Sequence, residues 1–317
     1  MKDIPVLHVE GNCLAEAYER ALVSLYENGV RIATQYDKDG DPESIDATMN
    51  ITVTAPWSDP MIHKAFPGGI DELREYVFEL LGHKDHWVKN MDDEADTRWE
   101  YTYHQRLADW GTWMESADRQ SGDPRDGGPR NGDPRTGDPR NGDPRTGAPG
   151  TGIDQIEKVV GKLAAQPHSR QAQMITWMPF LDFEVYDPPC LQSIWYRLVE
   201  NDQAWVLASN VRFRSNDAWG ANFMNMFGLT HFTRLLIADP LQEKLGKPVV
   251  LGRLNWQADS FHLYGKDQAE FKSRFWDRLG TTTFDDRVYR FFDGPIQEMW
   301  EEAEEKAIEK IRRYDAR

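Results

Sequence analysis

The chain has 317 residues, 39% hydrophobic and 12% aromatic, enough for a substantial core in one large domain or two small ones. Lys and Arg number 37 against 53 Asp and Glu, and the net charge of −16 repels nucleic acid and anionic lipid over most of the surface, so neither is an expected partner. No apolar run approaches the roughly 20 residues that span a bilayer. MKDIPVLHVEGN lacks the basic-then-apolar order of a secretory leader, and the two cysteines, Cys13 and Cys190, read as free thiols of a reducing cytoplasm. Such acidity suits an ordinary acidic protein and a high-salt cytoplasm equally.

In chain order, Leu14 to Asn28 places Leu14, Ala17, Tyr18, Ala21, Leu22 and Leu25 on one helical face, with Gly29 as a stop. Thr48 to Val53 alternates as a strand does, and Ile70 to Leu81 is a second helix closed by Gly82. From Gly122 to Gly152 a five-residue unit recurs (GDPRD, GGPRN, GDPRT) with no large apolar side chain. Such a tract cannot offset its chain entropy, so a disordered insertion at about 118–152 is expected. Its arginines alternate with aspartates, which argues against a basic binding tract. Beyond it, Ile153 to Ala165 reads as a helix. Met174 to Met178, Ser193 to Leu198 and Ala204 to Arg214 read as strands. Asn222 to Ile237 is a long apolar helix, Val249 to Leu263 a pair of strands, and Pro295 to Arg313 a charged amphipathic helix. Helices and strands mix without strict βαβ alternation, which gives the class α+β.

Three clusters can carry chemistry. Cys190 follows Pro188 and Pro189, which fix the backbone and remove two donors, so the thiol can stand at a rigid strand entrance. A lone cysteine is more often a small buried hydrophobe than a nucleophile. Arg214 and Ser215 in Arg214-Ser215-Asn216-Asp217 can grip a phosphate by guanidinium fork and hydroxyl, or end a strand in a surface ion pair. Asn225, in an apolar run, needs partners, and its amide offers a pyrimidine edge both a donor and an acceptor. His262 and Tyr264 share one side of a strand and can reach a sugar hydroxyl.

In this order the pieces resemble the thymidylate synthase family. Pro189-Cys190 resembles its nucleophile motif, Arg214-Ser215-Asn216-Asp217 its Arg-Ser-x-Asp motif, and His262-Leu263-Tyr264 its His-x-Tyr. Asn225 follows Arg214 by eleven residues, the family's spacing. TQYDKDGDP, SIDATM, FPGG and WEYTYHQRL look like the divergent archaeal branch. There are departures. Leu191 replaces the His after the nucleophile, and Gln171 replaces the second Arg of the pair begun by Arg170. Asp259 lies three residues before His262 instead of two, and the chain ends RRYDAR without an apolar tail. For the family's N-terminal phosphate Arg, Arg31 and Lys38 are candidates.

The resemblance implies a single domain over 1–317, a mixed sheet covered by helices, and a sheet-packed homodimer. It implies transfer of a one-carbon unit from 5,10-methylene-tetrahydrofolate or a related pterin to C5 of dUMP, giving dTMP, through a Cys190 adduct at C6. Arg214, Ser215, Asn225, His262 and Tyr264 would hold the nucleotide, Arg170 would serve the partner subunit's phosphate, and Asp217 would hold the pterin. The catalytic carboxylate is expected at Glu75, seven residues before Gly82 as in the family, with Glu79 one turn later as fallback. A dCMP hydroxymethylase and a non-catalytic nucleotide binder are the alternatives. Asn225 favours uracil over cytosine.

Overall fold

The computed structural model describes residues 3–88, 99–111 and 152–315, so all of the Gly122–Gly152 tract but its last residue lies outside the described residues. The chain opens with β1 (Val6–Gly11), α1 (Leu14–Asn28), β2 (Val30–Ile32), β3 (Ser44–Val53), β4 (Ile62–His63) and α2 (Ile70–Leu80). Then come α3 (Tyr103–Ala108), α4 (Gln155–Ala165), β5 (Gln173–Ile175), α5 (Pro179–Asp182), β6 (Leu191–Glu200) and β7 (Trp205–Asp217). α6 (Asn222–Phe232) runs through a π-helical stretch (Thr233–Ala238) into α7 (Asp239–Leu245). β8 (Val249–Leu263), α8 (Gln268–Arg274), β9 (Val288–Tyr289) and α9 (Gly294–Asp315) follow.

A seven-stranded mixed sheet in the order β1-β3-β8-β7-β6-β5, with β2 beside β3, carries the helices, as the α+β reading expected. β1–β3 and β7–β8 pair parallel; β3–β8 and β6–β7 pair antiparallel. Period-two alternation sorts the faces. Ile45, Ala47, Met49, Ile51 and Val53 of β3 are buried with the α1 stripe Leu14, Ala17, Tyr18, Ala21, Leu22 and Leu25. The opposite sheet face carries half-buried Thr48, Asn50 and Thr52 and exposed Arg197, Arg212 and Val199.

Val249 to Leu263 is one 15-residue strand, not the expected pair. Gly252 lies inside it: a Cβ there would stand 2.6 Å from Val206 Cγ1, so the glycine serves close strand approach. β1, short and alternately exposed, carries no sequence signal strong enough to read. Two irregularities in register, between Ala47 and Met49 against β8 and between Leu191 and Ser193 against β7, fall beside the candidate site.

α9 lies on α2 and is tied to it by Arg74–Glu304, by Lys306–Asp71 at 2.8 Å and by Lys310–Glu75 at 2.7 Å. No helix among the described residues is long and apolar enough to cross a membrane.

Candidate active site

The start of β6, the ends of β7 and β8 and the facing sides of α2 and α6 enclose a cavity of about 560 Å³. Cys190, Ser215, Asp217, Asn225, His262 and Tyr264 all line it.

Cys190 stands one residue before β6, and its carbonyl accepts from Arg214 N at 2.9 Å. Pro188 and Pro189 offer carbonyls without N–H groups, and Arg214 takes both: Nε donates to Pro189 O at 3.1 Å and Nη2 to Pro188 O at 2.5 Å. Arg214 was expected to grip a phosphate. Two of its donors hold the Pro188 and Pro189 carbonyls, it does not line the cavity, and its Nη1 has no hydrogen bond among the described residues. Burial pushes the Cys190 thiol above its ordinary pKa; the Arg214 charge opposes this and Asp187 adds to it.

Of the two candidate glutamates of α2, Glu79 lines the cavity and Glu75 does not. Lys84 Nζ lies 2.6 Å and Lys310 Nζ 2.7 Å from Glu75. Burial works against the Glu75 charge, but hydrogen bonds from Lys310 and Lys84 win and hold its pKa below the usual range. Glu79 receives less: Lys84 Nζ stands 3.9 Å away. Burial therefore pushes Glu79 up to about 7, with Glu75 and Asp85 adding and Lys84 opposing. A carboxyl poised there can give and take a proton near neutrality. Gly82 spacing points to Glu75, one turn from Glu79 on the same helix face; the ion pairs of Glu75 with Lys84 and the distant Lys310, which no spacing announces, leave Glu79 the less compensated of the two.

Asn225 rises from α6, and Tyr76 of α2 donates its hydroxyl to Asn225 Oδ1 at 2.5 Å. Gly228 lets these helices close, since a Cβ there would meet Leu80 Cδ1 at 2.6 Å and Tyr76 Cδ1 at 2.8 Å. With Oδ1 engaged, the amide presents Nδ2 as a donor. Asp217 Oδ1 accepts from Trp219 N at 3.0 Å and Gly220 N at 2.9 Å, and burial pushes its carboxyl up. His262 and Tyr264 rings meet edge-on at 4.5 Å, and His262 Nε2 is buried without a hydrogen bond among the described residues.

A family model described as thymidylate synthase matches residues 72–278. The chain belongs to the thymidylate synthase family. It is 36% identical over 264 residues to a Methanocaldococcus jannaschii protein named "putative thymidylate synthase", covering 82% of this chain and 91% of the relative. It is 26% identical over 254 residues to a Methanosarcina mazei protein of the same name, covering 80% and 88%. The solved structure of thermostable thymidylate synthase A from Bacillus subtilis superposes with a TM-score of 0.53 at 16% identity, over 83% of this chain and 84% of that one.

Within this family member, Arg170, Arg31 and Lys38 do not line the cavity; Arg170 is exposed and Arg31 Nη1 donates to Gln268 Oε1 at 3.3 Å. Sequence reasoning missed Tyr76, Trp99, Tyr101, Tyr103 and Asp187, which also line it. Trp99, Tyr101 and Tyr103 recur every second residue, the signal of an extended segment showing one face. Tyr76 carries no such signal: it is one aromatic on an amphipathic helix.

Proposed function

We propose that the protein methylates dUMP at C5 to give dTMP, with Cys190 as nucleophile and 5,10-methylene-tetrahydrofolate or a related pterin as co-substrate. The observation that carries this reading is one cavity lined together by Cys190, Asn225, Glu79 and the His262–Tyr264 pair. C5 of a pyrimidine is a weak nucleophile. A Cys190 sulfur–C6 bond moves the C5–C6 π electrons toward O4, which makes C5 electron-rich. Asn225 Nδ2 donates to O4, and Glu79, near its own pKa, supplies or removes protons there. Loss of the C5 proton and of the sulfur–C6 bond then restores the ring and frees Cys190. When bound, the folate supplies the one-carbon unit and the hydride. Asp217, with one oxygen beyond its turn contacts, suits the N–H edge of a pterin, and Trp99 and Tyr101 offer flat apolar walls.

Asn225 with Oδ1 held by Tyr76 favours uracil, whose O4 accepts, over cytosine, whose N4 donates. The open sheet face suits a C2 homodimer in which Arg170 reaches the partner's phosphate. Two free thiols, Cys13 and Cys190, suit a cytoplasmic enzyme.

Release of tritium from C5 of labelled dUMP or dCMP, with and without methylene-tetrahydrofolate, tests this. Release from dUMP alone supports the synthase, and release from dCMP supports the hydroxymethylase. Nucleotide binding without release supports a binder. Cys190→Ala should abolish turnover while leaving nucleotide affinity nearly intact; retained turnover overturns the mechanism.

A further inference from the structure

The acid nearest His262 in sequence does not serve it. Between Ala47 and Met49 the β3–β8 register slips, so that Ala47 faces Phe261 while Met49 faces Ala258. The extra residue turns Asp259 to the open sheet face, where its Oδ2 accepts from Arg212 Nη2 at 3.0 Å. Past the slip, Asp46 of β3 stands in register with His262. Ser260 Oγ donates to Asp46 Oδ2 at 2.7 Å and lies 3.3 Å from His262 Nδ1. Asp217 of β7 is in register on the other side, its Oδ1 occupied by the turn at Trp219 and Gly220.

The direction of this chain follows from donor counts. A carboxylate only accepts, so the Ser260 hydrogen goes to Asp46, and Oγ has only lone pairs left for the ring. Nδ1 must then carry the hydrogen. Burial holds the imidazole below its ordinary pKa against the pull of Asp46, so the ring is neutral and Nε2 is a bare acceptor. That atom is buried and without a partner among the described residues, on a side chain that lines the cavity beside Tyr264. What meets it must bring a hydrogen. A hydroxyl qualifies; a phosphate or carbonyl oxygen does not.

We infer that Asp46 and Ser260 are positioning residues that fix His262 as the acceptor for the nucleotide's 3′-hydroxyl. The sugar assignment rests on the nucleotide reading above, whereas the Asp46–Ser260–His262 chain stands without it.

Two measurements separate them. Calorimetric titration of dUMP and of 2′,3′-dideoxyuridine 5′-monophosphate compares the wild type, Ser260→Ala and Asp46→Asn. The wild type should prefer dUMP by about tenfold, the worth of one such hydrogen bond. Ser260→Ala should shrink that preference below about threefold by weakening dUMP alone. Asp46→Asn, nearly isosteric, should act the same way, because an amide can donate or accept and no longer fixes the direction. Second, ¹⁵N NMR of the ligand-free wild type should find His262 protonated on Nδ1, with a mixture of tautomers in Ser260→Ala. A wild-type ring protonated on Nε2, or a dUMP preference undiminished in both variants, overturns the role of Asp46 and Ser260. Equal binding of the two nucleotides by the wild type, or binding of neither, overturns the sugar assignment and counts against the nucleotide reading itself.

Discussion

Replacing Glu79 with Gln should stabilise the protein, and the gain should grow with pH. Burial lifts the Glu79 carboxyl from 4.5 to about 7 despite Lys84 at 3.9 Å. A carboxyl with a raised folded-state pKa binds more protons in the native than in the unfolded state between the two values, so stability falls as pH rises across that window. Below about 4.5 both states are protonated and the wild type and Gln variant should differ little in this respect. The gap opens between 4.5 and about 7 and is constant above. At about 1.4 kcal/mol per pH unit it should level near ~3 kcal/mol. Gln keeps the shape and neutrality of the protonated acid and cannot titrate. Urea unfolding of both proteins at half-unit steps from about pH 4 to 8.5, extrapolated linearly, reads the gap directly. A gap that is flat with pH, or that closes as pH rises, would refute the claim that burial sets this group. If Glu79 moves protons as proposed, the same variant should also lose turnover, an exchange of function for stability.

Three further outcomes follow from the same geometry. Lys84→Met removes the cation 3.9 Å from Glu79 and should raise its titration midpoint. The rise should be roughly one to three pH units for effective dielectrics of about 80 to 20, read by NMR of labelled carboxyl carbons. A midpoint unmoved or lowered contradicts this. Asp182→Ala strands Arg106, its buried partner at 2.9 Å, and should cost about 3–5 kcal/mol in urea unfolding; a loss under about 1 kcal/mol would show the pair is not structural. Tyr76→Phe frees the Asn225 amide to turn and should cut the kcat/KM preference for dUMP over dCMP by about tenfold, the worth of one hydrogen bond. An unchanged ratio would deny Tyr76 that role.

Local signals were legible where one face is buried and one is wet. The α1 stripe and its Gly29 stop bound Leu14–Asn28, and the Gly82 stop, at φ 88°, follows the second helix. The site residues carried by short motifs, Cys190, Ser215, Asp217, Asn225, His262 and Tyr264, meet in one cavity because the start of β6 and the ends of β7 and β8 lie side by side beneath α6. What could not be read depends on partners remote in sequence. Glu75 and Glu79 differ through Lys310, 235 residues from Glu75. Arg214 is turned to the proline carbonyls by a loop 25 residues earlier. The service of Asp46 to Ser260 crosses 214 residues and needs a register slip that no composition announces.

If the cavity takes a nucleotide as proposed, its own charges leave the phosphate to be met by groups outside the lining. Among the described residues its wall holds Glu79, Glu100, Asp187 and Asp217 and neither Lys nor Arg. A nucleotide monophosphate brings up to two further negative charges into that wall, in a chain already at −16. Burial answers part of the problem, since Glu79 and Asp217 are both pushed toward the neutral form. The phosphate still needs cations that can make directed hydrogen bonds. The Nη1 edge of Arg214 is one source. Arg170, exposed here on the loop before β5, is the other, and on the proposed homodimer it would complete a neighbour's phosphate site instead of its own. On that reading assembly would raise nucleotide affinity, because a second subunit would add positive charge beside a net-negative wall.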